Sequence, residues 1–238
     1  MKALTLIAEN IANIRGRIES VARRVGRSSG DIALMAVTKT QSAAAIREVY
    51  AAGLRLFGEN RVQEFAAKAS ALEDLAESKW HLIGHLQSNK ASKAAELFSA
   101  IDSVDSLRLA QRLNSSAQLL GKRVAVLIEI NVGGEAAKSG VAADAPELQE
   151  LLLAAPQLTG LEFRGLMTVP PYTDDPHLAR PYFRKLRELR EEIAARELPS
   201  VCMDELSMGM SHDFEVAIEE GSTCVRVGTA VFGERASR

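Results

Sequence analysis

Short apolar runs alternate with amphipathic segments along most of the chain. The runs typical of buried strands are 33–38, 54–58, 80–84, 100–104, 123–131, 161–169, 201–208 and 224–228. Between them lie segments with helical spacing of apolar residues, near 42–52, 61–77, 88–98, 106–119, 146–155, 177–197 and 212–220. Strands that alternate with helices predict a parallel sheet. Eight such strands predict an α/β fold closed into a single (β/α)8 TIM barrel, with an open doubly wound sheet as the alternative.

A further amphipathic segment precedes the first strand. One apolar residue recurs every three or four positions, at Leu4, Ile7, Ile11, Ile14, Ile18, Val21 and Val25. This single stripe predicts an extra N-terminal helix within residues 1–28. The spacing also fits a coiled-coil partner, but the repeat is short and Gly16 interrupts it, so packing on the barrel of the same chain is favoured. No Gly/Ser/Pro-rich linker divides the chain, so we expect one domain over 1–238 and a monomer.

The charge balance gives no reason to expect nucleic acid or an anionic membrane as a partner. The 238 residues include 29 Lys and Arg against 31 Asp and Glu, for a formal net charge of −2. The predicted helix 177–197 is rich in arginine. Its glutamates, however, follow at i,i+4 spacing in Arg184/Glu188 and Arg187/Glu191, which indicates an ion-paired outer face.

The start of the chain and its cysteines indicate a cytoplasmic protein. Polar and charged residues from position 9 onwards interrupt the first apolar segment, so neither a signal sequence nor a membrane span is expected. Cys202 and Cys224 lie inside strand-like runs without metal-ligand spacing, so we interpret them as reduced, buried side chains. His81 and His85 stand four residues apart without grouped acidic or cysteine ligands, and we expect no metal site.

The residues able to do chemistry fall at the carboxyl ends of the predicted strands. Lys39 closes the first strand, and Asn60 follows the second. Ser207 to Ser211 follow the seventh strand, and Arg226 to Thr229 end the eighth. In barrels of this type the active site lies at the carboxyl ends of the strands. The pattern therefore predicts one shared site.

Lys39, Ser211 and Arg226 each allow a purely structural role beside a chemical one. A lysine at a strand end has a partly desolvated amine, which favours the neutral form that attacks carbonyls. Ser211 is predicted to cap the helix that follows it, and it could bind phosphate with Gly228 and Thr229, or serve only as a cap. Arg226 alternates with apolar neighbours, so it is predicted to point into the barrel. There it needs an acceptor, and a structural ion pair with Asp or Glu is the simplest one.

Several longer motifs occur in order between about residues 33 and 233. They are Ala36-Val37-Thr38-Lys39, Gly58-Glu59-Asn60-Arg61-Val62-Gln63-Glu64, Trp80-His81-Leu82-Ile83-Gly84-His85-Leu86-Gln87-Ser88-Asn89-Lys90, Gly165-Leu166-Met167, Leu206-Ser207-Met208-Gly209-Met210-Ser211 and Val225-Arg226-Val227-Gly228-Thr229. Together they resemble the pyridoxal phosphate homeostasis proteins, the YggS/PROSC family. The resemblance implies a barrel like the N-terminal domain of alanine racemase. It also implies pyridoxal 5′-phosphate (PLP) held as a Schiff base on Lys39.

The same resemblance assigns further residues to the cofactor. Ser211, Gly228 and Thr229 match the phosphate cradle, and Arg226 matches the arginine that faces the pyridine nitrogen. Asn60 and Ser207 match polar positions that line the pocket. An arginine can only donate, so it keeps the pyridine nitrogen unprotonated, which makes the ring a weak electron sink.

The resemblance implies a carrier or regulator of the vitamin B6 pool, with PLP-accepting apoenzymes as possible partners and no catalytic residues. A racemase-like enzyme is the alternative. It needs a second acid or base opposite Lys39, which a separate C-terminal domain helps to supply in alanine racemase, and the sequence shows only a short segment after the eighth strand. A Schiff-base aldolase without cofactor is the third possibility, but its lysine would more usually stand in a later strand.

Overall fold

Eight parallel strands form a closed barrel in the computed structural model, which describes residues 5–135 and 139–233. The strands are β1 (Ala33–Val37), β2 (Leu56–Glu59), β3 (Lys79–Leu82), β4 (Ala100–Val104), β5 (Val124–Glu129), β6 (Leu161–Met167), β7 (Val201–Met210) and β8 (Cys224–Val227). Each pairs with the next along the chain, and β8 pairs with β1. The predicted TIM barrel is confirmed, and the open sheet is wrong.

Helices precede and follow the strands as the apolar pattern predicts. They are α1 (Leu6–Arg24), α2 (Ala43–Ala51), α3 (Val62–Ala69), α4 (Ala91–Leu97), α5 (Leu107–Leu119), α6 (Pro146–Ala154), α7 (Arg180–Ala194), α8 (Phe214–Glu219) and α9 (Thr229–Phe232). Several bounds differ from the prediction. The segment 177–197 begins with a 3-10 turn at Pro176–Ala179 before α7, and β7 continues to Met210. Within the described part of the chain, no helix is both long and apolar enough to cross a membrane.

The apolar core lies between the barrel wall and the helices. Phe57 of β2 stacks on Trp80 of β3 with ring centroids 4.6 Å apart, and Phe65 of α3 and Phe98 extend this aromatic cluster. Side chains alternate along a strand, so the residues between these outward-facing ones point into the barrel. The interior of the barrel therefore has a separate set of side chains, and it carries the polar groups described below.

Helix α1 packs its apolar stripe on the same chain. Ile11, Ile14 and Ile18 are buried, and the helix contacts α2, α8 and α9. The Asn10 side chain donates to the carbonyl of Val231 in α9 at 3.0 Å. Residues 1–4 of the predicted helix lie outside the described residues.

The arginines of α7 bind acidic residues at the end of α8. Arg180, Arg184 and Arg187 all pair with the buried carboxylate of Glu220, at 3.0–3.2 Å. Arg187 also reaches Glu191 at 3.7 Å, the i,i+4 partner in sequence. This network fixes α8, which follows the carboxyl end of β7 and leads into the amino end of β8.

Candidate functional site

A cavity of about 370 Å³ opens at the carboxyl ends of the strands. It is lined by residues that follow four different strands: Lys39 after β1, Asn60 after β2, Ser211 after β7, and Arg226, Gly228 and Thr229 at the end of β8. These are six of the seven residues that the sequence assigns to a cofactor. Parallel strand ends meet at one face of a barrel, which is why residues far apart in sequence share one cavity.

Lys39 lies in a turn just beyond β1. The strand ends at Val37, two residues earlier than Lys39, although the amide of Thr38 still donates to the carbonyl of Gly58 at 2.9 Å. Thr40, the next residue, has a left-handed backbone with φ of 65°. Lys39 is half-buried at the wall of the cavity. The site lysine is thus presented by a tight, specifically shaped turn.

A second lysine, Lys68 of α3, holds this turn in place. Its Nζ donates to the carbonyl of Thr38 at 3.0 Å and pairs with the carboxylate of Glu59 at 2.8 Å. The hydroxyl of Thr38 donates to the same Glu59 oxygen at 2.5 Å, and the Thr40 amide donates to Glu64. Sequence reasoning missed this group. The available signal was Glu59, a charged residue in a buried strand, which needs a cationic partner.

The Glu59 side chain is completely buried. Burial raises the pKa of its carboxyl, and the hydrogen bonds from Lys68 and Thr38 act in the opposite direction without cancelling the rise. Its second oxygen, Oε2, has no hydrogen-bond partner among the described residues. The ion pair with Lys68 is therefore what keeps a charge tolerable at this position.

Arg226 points into the barrel as predicted, but its acceptors are neutral. Nη1 donates to the hydroxyl of Ser207 and Nη2 to the carbonyl of Thr168, both at 2.7 Å. Within the described residues it makes no ion pair with a carboxylate, so the expected structural ion pair is wrong. Burial lowers the pKa of Arg226, and Asp102, Asp213 and Glu129 counteract this from a distance.

Ser207 does not line the cavity that contains Lys39. It is fully buried in β7, where its hydroxyl accepts from Arg226 and lies at the wall of a different cavity, at the amino ends of the strands. The expectation that Ser207 lines the cofactor pocket is therefore corrected. Because β7 continues past Ser207 to Met210, the serine stands a layer deeper than a loop residue would.

Ser211 does line the cavity, but it is not a helix cap. Helix α8 begins at Phe214, three residues later, and Asp213 occupies the cap position. The Ser211 hydroxyl instead accepts from the amides of Gly228 and Ala230, at 3.2 and 3.3 Å. The residue therefore joins the end of β7 to the start of α9, and its hydroxyl hydrogen remains a donor for a ligand.

Asp213 does not line this cavity, although it is close in sequence to Ser211. Its side chain accepts from the amide of Met210 at 2.6 Å. Burial raises the pKa of its carboxyl, partly offset by this hydrogen bond. The carboxylate thus closes the β7–α8 turn and does not oppose an anion in the cavity.

Acidic residues occupy the other half of the barrel mouth. Glu129, at the end of β5, is buried with its Oε2 unpaired among the described residues. Burial and the nearby Asp105 raise the pKa of Glu129 to about 7. Asp105 Oδ2 lies 3.2 Å from His85 Nδ1, and Asp102 Oδ1 lies 3.0 Å from His81 Nδ1. The two histidines noted in the sequence therefore have separate acidic partners. No group of three or more metal-ligating side chains occurs in the ranges 5–135 and 139–233.

The fold and the cavity together define a (β/α)8 barrel that gathers a lysine, an arginine and two hydroxyls at its C-terminal mouth. Residues 10–236 match the family model described as "Alanine racemase, N-terminal domain". The chain is 47% identical over 227 residues to a protein of Aquifex aeolicus named "Pyridoxal phosphate homeostasis protein", covering 95% of this chain and 97% of the relative. The chain therefore belongs to the pyridoxal phosphate homeostasis proteins, within the alanine racemase N-terminal domain family.

Solved structures agree with this assignment. PipY of Synechococcus elongatus, whose structure is described with PLP bound, is 40% identical, with a TM-score of 0.82 over 95% of this chain and 100% of that chain. An alanine racemase of Clostridium difficile has a TM-score of 0.69 at 15% identity, over 97% of this chain and 57% of that chain. The second likeness shows a shared barrel fold only.

Proposed function

We propose that this protein binds PLP in the cavity at the C-terminal mouth of the barrel and serves PLP homeostasis without catalytic turnover. The observation that carries the proposal is the convergence of six predicted residues, from four strand ends, on one cavity. The names of the relatives and the PLP described in PipY support it. A cavity of about 370 Å³ is within the usual range for a small-molecule site.

The polar groups of the cavity fit the parts of PLP. When bound, PLP supplies an aldehyde that condenses with a primary amine, and Lys39 is the amine we assign to it. Ser211 and Thr229 offer hydroxyl donors for the phosphate, beside the bare backbone of Gly228. Helix α9 has only four residues, so these local donors, more than a helix dipole, hold the phosphate.

Arg226 favours a carrier over an enzyme. Its guanidinium is held by hydrogen bonds of 2.7 Å to two neutral acceptors, and the side chain is buried at the wall of the cavity. Because a guanidinium has only donors, Arg226 can donate to a ligand but cannot accept a proton from it. We assign it to the ring nitrogen, which it would keep unprotonated. A ring in that state stabilises a carbanion poorly, so racemisation and transamination lack their main driving force.

Covalent labelling tests the lysine. After incubation with PLP and reduction with borohydride, peptide mapping should find the pyridoxyl group on Lys39. Lys39→Ala should remove the label, whereas Lys93→Ala should not, because Lys93 is an exposed residue of α4 that pairs with Glu96. A label on Lys90, or an unchanged label in Lys39→Ala, would show that the amine is misassigned.

Removal of the hydroxyls tests the phosphate cradle. Two charge-assisted hydrogen bonds at roughly 1.5–3 kcal/mol each predict that Ser211→Ala with Thr229→Ala weakens PLP binding by about a hundredfold or more. The matched control is Ser115→Ala with Ser116→Ala, which removes two hydroxyls from the exposed side of α5. Equal dissociation constants for the cradle variant and its parent would place the phosphate elsewhere.

Proton exchange separates a carrier from an enzyme. Incubated with L- or D-amino acids in heavy water, the PLP-loaded protein should show no rapid deuterium incorporation at the substrate Cα by NMR. General acid–base help is typically worth about 10²–10⁴-fold. Tyr172 and His212 line the same cavity as Lys39 and are the side chains that could supply such help, so this measurement also tests whether they do. Exchange at about one per second or faster, the usual enzymatic range, would support the racemase-like alternative.

A further inference from the structure

A second and larger cavity opens at the opposite end of the barrel. Its volume is about 710 Å³, against about 370 Å³ for the cavity that contains Lys39. The inward residues at the amino ends of the strands are small: Ala33 of β1, Ala100 of β4, Ala125 of β5 and Cys224 of β8. Barrels of this type usually fill their interior with bulky branched side chains. The small residues here leave space that reaches into the interior.

The deep wall of this cavity carries a buried pair of a histidine and an aspartate. His81 Nδ1 lies 3.0 and 3.2 Å from the two oxygens of Asp102, whose side chain is only 1% exposed. Burial lowers the pKa of His81, but the carboxylates of Asp102 and Glu205 outweigh it, so the net shift is upward. Both residues line the cavity, so a ligand there lies beside this pair.

The charges around the cavity favour a cation. Four carboxylates line it, those of Asp31, Asp102, Asp204 and Glu205, against the basic side chains of Lys79, His81 and Arg164. Arg164 pairs with Glu205 at 3.4 Å and His81 with Asp102 at 3.0 Å, which leaves Asp31 and Asp204 against Lys79. Leu56 and Leu127 add apolar surface to the alanines. The cavity therefore suits a small molecule with an apolar body and one positive charge.

The two cavities share a wall. We call the cavity at the amino ends of the strands the N-terminal cavity, and the cavity that contains Lys39 the cofactor cavity. Ser207 lines the first and Arg226 lines the second, and a hydrogen bond of 2.7 Å joins the two side chains. Asp102 lines the N-terminal cavity and is also one of the carboxylates that stabilise the buried charge of Arg226. A charge placed beside Asp102 therefore changes the electrostatic potential at Arg226.

We infer that the N-terminal cavity is a second binding site, for a small organic cation with an apolar body, and that its occupant is coupled to the cofactor site across Ser207 and Arg226. The binding site stands on its own geometry, whereas the coupling rests on the proposed function. A cation beside Asp102 offsets that carboxylate and leaves Arg226 less compensated. The attraction of Arg226 for an anionic cofactor then increases, so the two ligands bind with positive cooperativity.

Calorimetry with matched probes tests the site. N,N-dimethylbenzylamine is a suitable cation because a tertiary amine cannot condense with the aldehyde of PLP, and benzoate is its anionic counterpart. The protein without PLP should bind the amine saturably at one site and bind benzoate at least about tenfold more weakly, the effect of one charge-assisted hydrogen bond. Absence of saturable amine binding, or equal binding of benzoate, would overturn the assignment.

Variants that fill the cavity locate the site. Ala125→Leu should abolish amine binding, and Ala33→Leu, nearer the opening, should do the same if the first variant fails to fold. Ala51→Leu, on the exposed end of α2, is the matched control and should bind normally. Circular dichroism establishes that each variant is folded. Normal amine binding by a folded, filled variant would place the amine outside the cavity.

Titration of PLP tests the coupling. A saturating concentration of the amine should tighten PLP binding by about fivefold or more, the lower end of usual coupling energies, and Ala125→Leu should lose this effect. An unchanged PLP affinity with bound amine would refute the coupling. If PLP does not bind at all, the proposed function fails, while amine binding to the protein without PLP still decides whether the second site exists.

Discussion

Lys68→Met tests whether the Lys39 turn depends on the buried ion pair beneath it. The substitution keeps the length of the side chain and removes its charge, which leaves the fully buried carboxylate of Glu59 without its partner at 2.8 Å. Breaking a buried pair from one side costs about 3–5 kcal/mol of unfolding free energy. The lost hydrogen bond to the carbonyl of Thr38 adds about 0.5–1.5 kcal/mol.

The loss of unfolding free energy in Lys68→Met, relative to the parent protein, should depend on pH in a defined direction. Burial already raises the pKa of Glu59, and removal of the Lys68 ammonium raises it further. A carboxyl whose folded pKa lies above its unfolded value stabilises the protein at low pH, and this contribution is lost as pH rises through the folded pKa. The Lys68→Met deficit should therefore be largest at pH 8 and shrink towards pH 5.

Urea unfolding at several pH values measures both effects. Lys93→Met is the control, because this exposed lysine pairs with the exposed Glu96 and its loss should change stability by no more than about 0.5 kcal/mol. The double variant Glu59→Gln with Lys68→Met should recover much of the loss, since it leaves no unpaired charge buried. A deficit below about 1 kcal/mol, or one independent of pH, would refute the reasoning.

The remaining predictions concern a glycine and a second buried carboxyl. A Cβ on Gly84 would lie 2.4 Å from the carbonyl oxygen of Asn60, so Gly84→Ala should displace that backbone and weaken PLP binding. A Cβ on Gly16 of α1 would meet no atom within 4 Å, so Gly16→Ala should instead raise the free energy of unfolding by up to about 1 kcal/mol. Equal melting temperatures for the Gly84→Ala and Gly16→Ala variants would contradict this difference. The pKa of about 7 for Glu129 means that its stabilising contribution is lost as pH rises from about 4.5 through 7. Glu129→Gln should therefore be more stable than its parent at pH 8, by an amount on the order of 3 kcal/mol that disappears near pH 4.5, in urea titrations.

The sequence by itself determined the barrel and most of its site. Short apolar runs and amphipathic helices are local patterns, and their alternation fixes a parallel order of strands. Because all parallel strands end at the same face, residues such as Lys39, Asn60 and Arg226 could be assigned to one site from their positions alone. Their convergence on one cavity followed from topology, with no knowledge of side-chain contacts.

Tertiary structure alone decided which partner each polar group has. Ser211 is adjacent to a helix in sequence, yet its hydroxyl binds amides that follow β8. Ser207 reads as a pocket residue, yet the extension of β7 places it beneath Arg226. Two further features were also decided by tertiary structure alone: the contacts of Lys68 with the Lys39 turn, and the cavity at the amino ends of the strands. Hydrogen bonds, ion pairs and cavities depend on distances between elements far apart in sequence, and a periodic pattern of apolar residues does not encode those distances.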